Sequence, residues 1–243
     1  MGYPIIDEKE LKVYYRGVKT VCYVDFRKDE TVDLFQKFIL KHMREDGMDW
    51  ENVNGFVDWL AYDRGNLFVN VVFSVDSNQR CKLYHIKDDE CKEVKIKTDE
   101  EIAYMRSLGA IEGNRLMYRI NSKFNIIDYE GNVLEERPLI DDERFNTLGA
   151  YSMRVSYDGK KILYDLGKTP VDLNIYDFET GKTRVLFPSG YNDGKYGDEK
   201  TIELYGNSYM SFWLGERSVF AVIDYNDIES ENQMFIAKIY EVE

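Results

Sequence analysis

The chain has 243 residues, 44% hydrophobic and 14% aromatic, enough for one substantial core, and it holds only four prolines and no Ser-rich or low-complexity stretch that would mark a linker. Its formal charge of −13, from 45 acidic and 32 basic residues without a dense Lys/Arg cluster, excludes the concentrated basic surface that a nucleic-acid binder needs. No apolar run reaches the length of a membrane span, and Met1-Gly2-Tyr3-Pro4 lacks the charged and apolar regions of a signal peptide, so a cytoplasmic chain without membrane insertion is expected, export being the alternative if a leader has been removed.

The first predicted elements are two apolar runs, Leu11 to Tyr15 and Val18 to Phe26, on either side of Gly17. A strand, a tight turn holding a glycine where φ can be positive, and a second strand make a β-hairpin. From Asp29 to Gly47 the period changes. Val32, Phe35, Phe38, Ile39, His42 and Met43 fall three or four apart, which predicts a helix with one apolar face, capped by Asp29 or Thr31 and ended by Gly47. This helix is expected to take the place of the third and fourth strands of the first unit and to cover a sheet edge.

The hairpin then recurs. Phe56 to Tyr62 and Asn66 to Ser74 flank Gly65; Tyr104 to Ile111 and Asn114 to Asn121 flank Gly113; Tyr151 to Tyr157 and Lys160 to Gly167 flank Gly159; Tyr209 to Leu214 and Glu216 to Asp224 flank Gly215. These runs are rich in Val, Ile, Leu, Phe and Tyr, which suit a pleated, half-buried surface. Third strands are predicted at Cys81 to Lys87, Lys123 to Tyr129, Asp172 to Phe178 and Met234 to Val242, and fourth strands at Glu93 to Lys97, Val133 to Pro138 and Thr183 to Phe187. The turn glycines lie 48, 48, 46 and 56 residues apart, the period of one four-stranded sheet repeated around an axis. The expected fold is therefore an all-β propeller of about five antiparallel four-stranded blades, the first modified by a helix. It forms a single domain over residues 1–243, with units near 7–50, 55–98, 103–140, 149–188 and 203–243. The last unit lacks a fourth strand, and Tyr3 to Ile6 or Leu11 to Tyr15 are candidates to complete it.

One unit also carries a family resemblance. Ser156-Tyr157-Asp158-Gly159-Lys160-Lys161-Ile162-Leu163-Tyr164, followed by Asn174-Ile175-Tyr176-Asp177-Phe178-Glu179-Thr180-Gly181-Lys182, resembles the WD40-like repeat of TolB-type β-propellers, departing at Tyr157 where that repeat has proline. The resemblance implies a propeller of the kind used to bind macromolecules or to gate a separate enzyme domain. It carries over no functional residue.

Catalytic and metal signatures are sparse. The two histidines, His42 and His85, lie on an apolar helix face and in a strand, and no Gly-x-Ser-x-Gly elbow, Cys-x-x-Cys, His-x-x-x-His or phosphate-binding loop occurs. The loop from Tyr191 to Glu199 offers oxygens at Asn192, Asp193, Asp198 and Glu199, but its spacing is not that of an EF-hand. Neither a metal nor a cofactor is expected. Cys22, Cys81 and Cys91 are odd in number and are read as reduced thiols, although Cys81 and Cys91 have the option of meeting across neighbouring strands. The carboxylates Glu10 and Asp58 are the candidates for a glycoside-hydrolase-like site, the alternative function.

In a propeller, residues just ahead of the first strand's turn converge near the axis. Phe56, Tyr104, Tyr151 and Tyr209 precede their glycines by 9, 9, 8 and 6 positions, with Asp58, Arg106 and Arg154 close behind. Tyr and Arg are concentrated at the energetic centres of protein interfaces. These seven residues are the candidate binding face of a noncatalytic scaffold for a protein or peptide partner, the other reading of the same positions being core packed between adjacent blades.

Overall fold

The structure of the protein, a computed structural model, describes residues 5–75, 78–102, 104–141, 150–166, 172–187, 204–214, 217–227 and 233–242. Their strands form five antiparallel sheets, the blades of a five-bladed β-propeller, accompanied by one short helix. Two compact units divide the chain, residues 1–139 with three sheets and residues 140–243 with two.

The first sheet runs β1 (Ile5–Asp7), β2 (Lys12–Arg16), β3 (Val21–Asp25), β4 (Glu30–Asp33). The second is β5 (Asn54–Asp63), β6 (Asn66–Val75), β7 (Asn78–Lys87), β8 (Glu90–Val94), and the third β9 (Met105–Ile111), β10 (Arg115–Ile120), β11 (Lys123–Asp128), β12 (Val133–Pro138). In the second unit β13 (Ala150–Val155), β14 (Lys161–Leu166), β15 (Asp172–Asp177) and β16 (Lys182–Phe187) form the fourth sheet. The fifth holds β17 (Leu204–Leu214), β18 (Ser218–Asp227) and β19 (Gln233–Glu241), three strands among the described residues. Each sheet is a meander of sequence neighbours, so its register is set by the hairpin turns.

Three expectations for the first sheet need correction. The Gly17 turn joins the second and third strands, not the first and second, because β1 precedes them. The segment Glu30–Asp33 is a fourth strand pairing with β3 through Cys22 and Asp33 to Asp25 and Glu30, and the helix follows it. Helical spacing of Val32 with Phe35 hid a short strand, since four residues hold too few periods to separate the two patterns. Finally, Ile5–Asp7 and Lys12–Arg16 pair with each other in the first sheet; neither supplies a strand to the fifth.

The helix begins as a π-helical turn, Phe35–Ile39, and continues as α1 (Leu40–Glu45). Asp33, not Asp29 or Thr31, receives a backbone N–H near its start, that of Gln36 at 2.9 Å. The end is as expected: Gly47 has φ +74°, its N–H donates to the Arg44 carbonyl, and the Met48 N–H donates to that of Met43. This pair of bonds satisfies carbonyls that the last turn would otherwise strand. Phe35, Ile39 and Met43 are 0–1% exposed and pack with Trp50, Val71 and Tyr84. Burial at this level is worth about 1.5–3 kcal/mol per large apolar side chain. His42 Nε2 lies 3.1 Å from the Cys91 carbonyl on β8, so the helix covers the outer strand of the second sheet.

A second core lies between the second and third sheets, around Phe68, Leu83, Leu116 and Tyr118, and a third within the second unit around Leu163, Leu173 and Val219. Gly131 is required where the third sheet meets the segment after β8. Its φ is +84°, an added Cβ would collide with the Lys95 carbonyl, and the Lys97 N–H donates to the Gly131 carbonyl at 2.8 Å.

Candidate functional site

The first strand of each of the last four sheets carries one extra residue at nearly the same place. Val57 pairs with Val71 and Leu60 with Val69, so Asp58 and Trp59 both oppose Asn70. In β9, Leu108 is the surplus residue between Gly109, opposite Met117, and Ser107, opposite Tyr118. In β13, Tyr151 and Ser152 oppose Asp165, and in β17, Tyr209 is surplus between Ser208 and Met210. A bulge adds twist, disrupts the ladder locally and re-aims side chains. Of the positions reached by counting back from the turn glycines, Tyr151 and Tyr209 fall at these bulges, as does Asp58 close behind Phe56, whereas Tyr104 lies just ahead of β9 and four residues from Leu108. The β2–β3 pairing runs from Lys12 opposite Asp25 to Arg16 opposite Val21 with no such shift.

In the first unit the bulge gathers a polar cluster. Asp58 is 5% exposed, with Oδ1 3.8 Å from Arg106 Nε and Oδ2 accepting from Asn70 Nδ2 at 3.4 Å. Asn70, fully buried, also donates from Nδ2 to the Met105 carbonyl at 3.0 Å, tying the second strand of one sheet to the first strand of the next. Arg16 Nη1 donates to the Val57 carbonyl at 2.7 Å, and the Val57 N–H donates to the Val18 carbonyl at 2.8 Å, which docks the Gly17 turn beside the bulge. Burial lowers the Arg16 pKa; Asp58 opposes that shift and Arg106 reinforces it, so the three charges act on one another. Burial, and Asp58's charge after it, push the Tyr118 hydroxyl up.

Of the seven candidate residues, the structure brings Asp58 and Arg106 together and leaves Phe56, two residues ahead of Asp58, 43% exposed. Tyr104 is half-buried beneath the Arg119 guanidinium, 5.4 Å from the ring centre, and its N–H donates to Asn121 Oδ1 at 3.1 Å. In the second unit Arg154 Nη1 donates to the Met153 carbonyl at 3.2 Å, and the Arg154 carbonyl accepts from Trp213 Nε1 at 3.2 Å. The backbones of Tyr151 and Tyr209 lie in β13 and β17; their side chains fall outside the described set. Arg16 and Asn70 were missed. Arg16 precedes Gly17 directly and drops out of an alignment that assumes the same hairpin phase in every unit, and Asn70 reads as an ordinary strand residue.

The remaining candidates sort by environment. Glu10 occupies the turn after β1, 3.4 Å from Arg27, whereas Asp58 is buried, so the two carboxylates sit in different settings. His85 stacks on Phe68 with ring centres 4.4 Å apart and its Nε2 is 2.9 Å from Asn66 Oδ1; burial, then Lys92 and Lys87, bring its pKa down to about 4. All three cysteines are free. Cys91 opposes Ile86 on β7, five positions along from Cys81, so the two cannot bridge. Burial pushes Cys81 up to about 11 and Cys91 up to about 12, which suits inert thiols. Among the described residues no group of three or more His, Cys, Asp or Glu is placed to hold a metal, and the Tyr191 to Glu199 loop lies outside them. Among them too, no helix is long and apolar enough to cross a membrane.

No protein-family model and no curated protein sequence matches the chain. Solved structures do. Puromycin hydrolase is 11% identical with a TM-score of 0.52, the match covering 99% of this chain and 39% of that one. A Bacteroides thetaiotaomicron protein of unknown function is 13% identical with a TM-score of 0.51, covering 98% and 58%. The mitotic checkpoint complex is 8% identical with a TM-score of 0.49, covering 100% and 64%. The chain thus spans less than two thirds of each of these proteins. At such identities the likeness to the first two is one of fold alone, and the fold that the five sheets of this chain define is the five-bladed β-propeller.

Proposed function

We propose that the chain is a noncatalytic scaffold that binds a protein or peptide through the bulged first strands of its blades. The observation that carries this reading is the recurrence of the bulge at Asp58, Leu108, Tyr151 and Tyr209. A device repeated in four sheets of unrelated local sequence re-aims side chains at one level of each blade. In the first unit Phe56, Tyr104 and Arg106 form the contact residues, positioned by the buried Asp58 and by Arg16, and Tyr151, Arg154 and Tyr209 take the same part in their own sheets. Aromatic residues and Arg are what interface hot spots concentrate, and Phe56 is 43% exposed. The hydrolase alternative finds less support, because Asp58 is engaged by Arg106 and Asn70. The reading takes the chain as one functional domain without cofactor, in a reducing cytoplasm that keeps its thiols free.

The test is affinity capture with quantitative mass spectrometry, comparing the wild-type chain with a Phe56→Ala, Tyr104→Ala, Arg106→Ala triple variant whose melting temperature is measured alongside. Loss of one or a few specific partners from a folded variant is expected. Capture of the same partners by both proteins overturns the proposed face.

A further inference from the structure

A cleft of about 920 Å³ opens between the first and second sheets, bordered by Tyr62 near the end of β5 beyond its bulge. Its volume lies in the upper part of the range, about 300–1,000 Å³, of small-molecule sites. Half-buried Tyr23 and Tyr62 line it on either side of the buried Tyr14, whose ring centre is 5.7 Å from that of Tyr23 and 5.1 Å from that of Tyr62. Around them stand five cationic and five anionic side chains.

We propose that this cleft binds a neutral polyhydroxylated ligand, a saccharide. A ligand of either net charge would gain from one half of the rim and lose to the other. A hydroxyl donates and accepts at once, so it uses ammonium donors and carboxylate acceptors together. Tyrosine offers an apolar ring to the C–H face of a sugar while its hydroxyl stays polar. Lys12 Nζ lies 5.1 Å from the Tyr23 ring centre, which sets one of the ammonium donors beside the aromatic patch. Anions are disfavoured by the overall charge of −13.

The walls are pre-organised. The Tyr62 hydroxyl donates to Asp7 and accepts the Gly65 N–H at 3.0 Å, and Asp7 Oδ1 accepts the Glu10 N–H at 3.0 Å, which clasps the turn after β1 to the β5–β6 hairpin. Two rim turns, Arg64-Gly65 and Asp88-Asp89, have positive φ at both residues, the two-residue form whose twist matches the flanking strands. Burial first, then the Asp7 charge, push the Tyr14 hydroxyl up to about 12, so it remains an uncharged donor over the physiological range.

Isothermal titration of the full chain with xylohexaose, cellohexaose, laminarihexaose, mannohexaose and arabinohexaose, and with hexagalacturonic acid and chitosan hexamer as charged comparators, tests the assignment. At least one neutral hexamer is expected to bind, about tenfold more weakly to Tyr23→Ala and to Lys12→Met and unchanged to Leu134→Ala, a substitution at an exposed position of the third sheet. The proposal is overturned if no neutral hexamer binds at millimolar concentration, if a charged hexamer binds more tightly than every neutral one, or if neither cleft variant alters binding. Should Tyr23→Ala fail to fold, Lys12→Met decides alone.

Discussion

The first and second sheets are built around the same kind of Gly-centred hairpin, yet they use it differently. In the second sheet Gly65, at φ +83°, turns the bulged first strand into the second; in the first sheet Gly17 lies outside the left-handed region and turns an unbulged second strand into the third. The bulge and the left-handed glycine occur together in the second, third and fourth sheets, at Gly65, Gly113 and Gly159. The first sheet has neither and docks its turn against the bulge of its neighbour through Arg16 and Val18. One hairpin sequence therefore serves two purposes, and strand phase decides which.

The largest expected effect separates the two sheets by burial. Phe68 is fully buried between the second and third sheets, and Phe68→Ala should lower stability by about 3–5 kcal/mol. Val24→Ala, at a half-buried position of β3, should cost about 1 kcal/mol. Urea denaturation of both variants checks the order, and equal losses would mean that the first sheet is as tightly packed as the second.

The glycines sharpen the comparison further. Gly131→Ala meets both a left-handed φ and the Lys95 carbonyl and should cost about 3 kcal/mol. Gly65→Ala meets only the φ, since its surroundings are open, and should cost about 1–2 kcal/mol. Gly17→Ala, whose Cβ would touch the Thr20 methyl at 3.0 Å without a positive φ, should stay within about 0.5 kcal/mol. A Gly17→Ala loss equal to that of Gly65→Ala would end the distinction between the two hairpins.

The last effect leaves neutral-pH stability untouched and shows only on acidification; it belongs to His85 in the second sheet. Its folded pKa of about 4 lies below the ordinary 6.5, so between these values the unfolded chain binds a proton that the folded chain refuses. The contribution is complete above pH 6.5 and is lost as pH falls towards 4, on the order of 3 kcal/mol in full. Denaturation midpoints at pH 7, 5.5 and 4.5 should fall less steeply for His85→Asn than for the wild type; parallel slopes would show that His85 is not kept neutral by its burial against Phe68.

Much of this architecture was legible locally. Every hairpin of the last four sheets that was read from turn glycines and apolar runs appears as a strand pair, and β12 matches its expected limits, Val133 to Pro138. The C-terminal cap at Gly47 was equally visible, because a left-handed residue after an apolar helical face is a short-range signal. β4 was not, since a four-residue strand adjoining a helix has no period of its own. The bulges were legible in part: counting back from the glycines reached Tyr151 and Tyr209 at two of them and Phe56 two residues ahead of Asp58 at a third, while Arg16 escaped because the first hairpin is out of phase.

Turn chemistry, strand alternation and spacing act over a handful of residues, and by themselves they determined the number of repeated sheets and the positions of most strands. Pairing across long separations belongs to the tertiary structure. Arg16 reaches Val57 across 41 positions, Asn70 reaches Met105 across 35 and Tyr62 reaches Asp7 across 55, and no local pattern records which of many equivalent polar residues will meet. The charge cluster at the bulge and the tyrosine-lined cleft exist only once the sheets pack, because packing removes these groups from water and obliges each to find its partner in a neighbouring strand or turn.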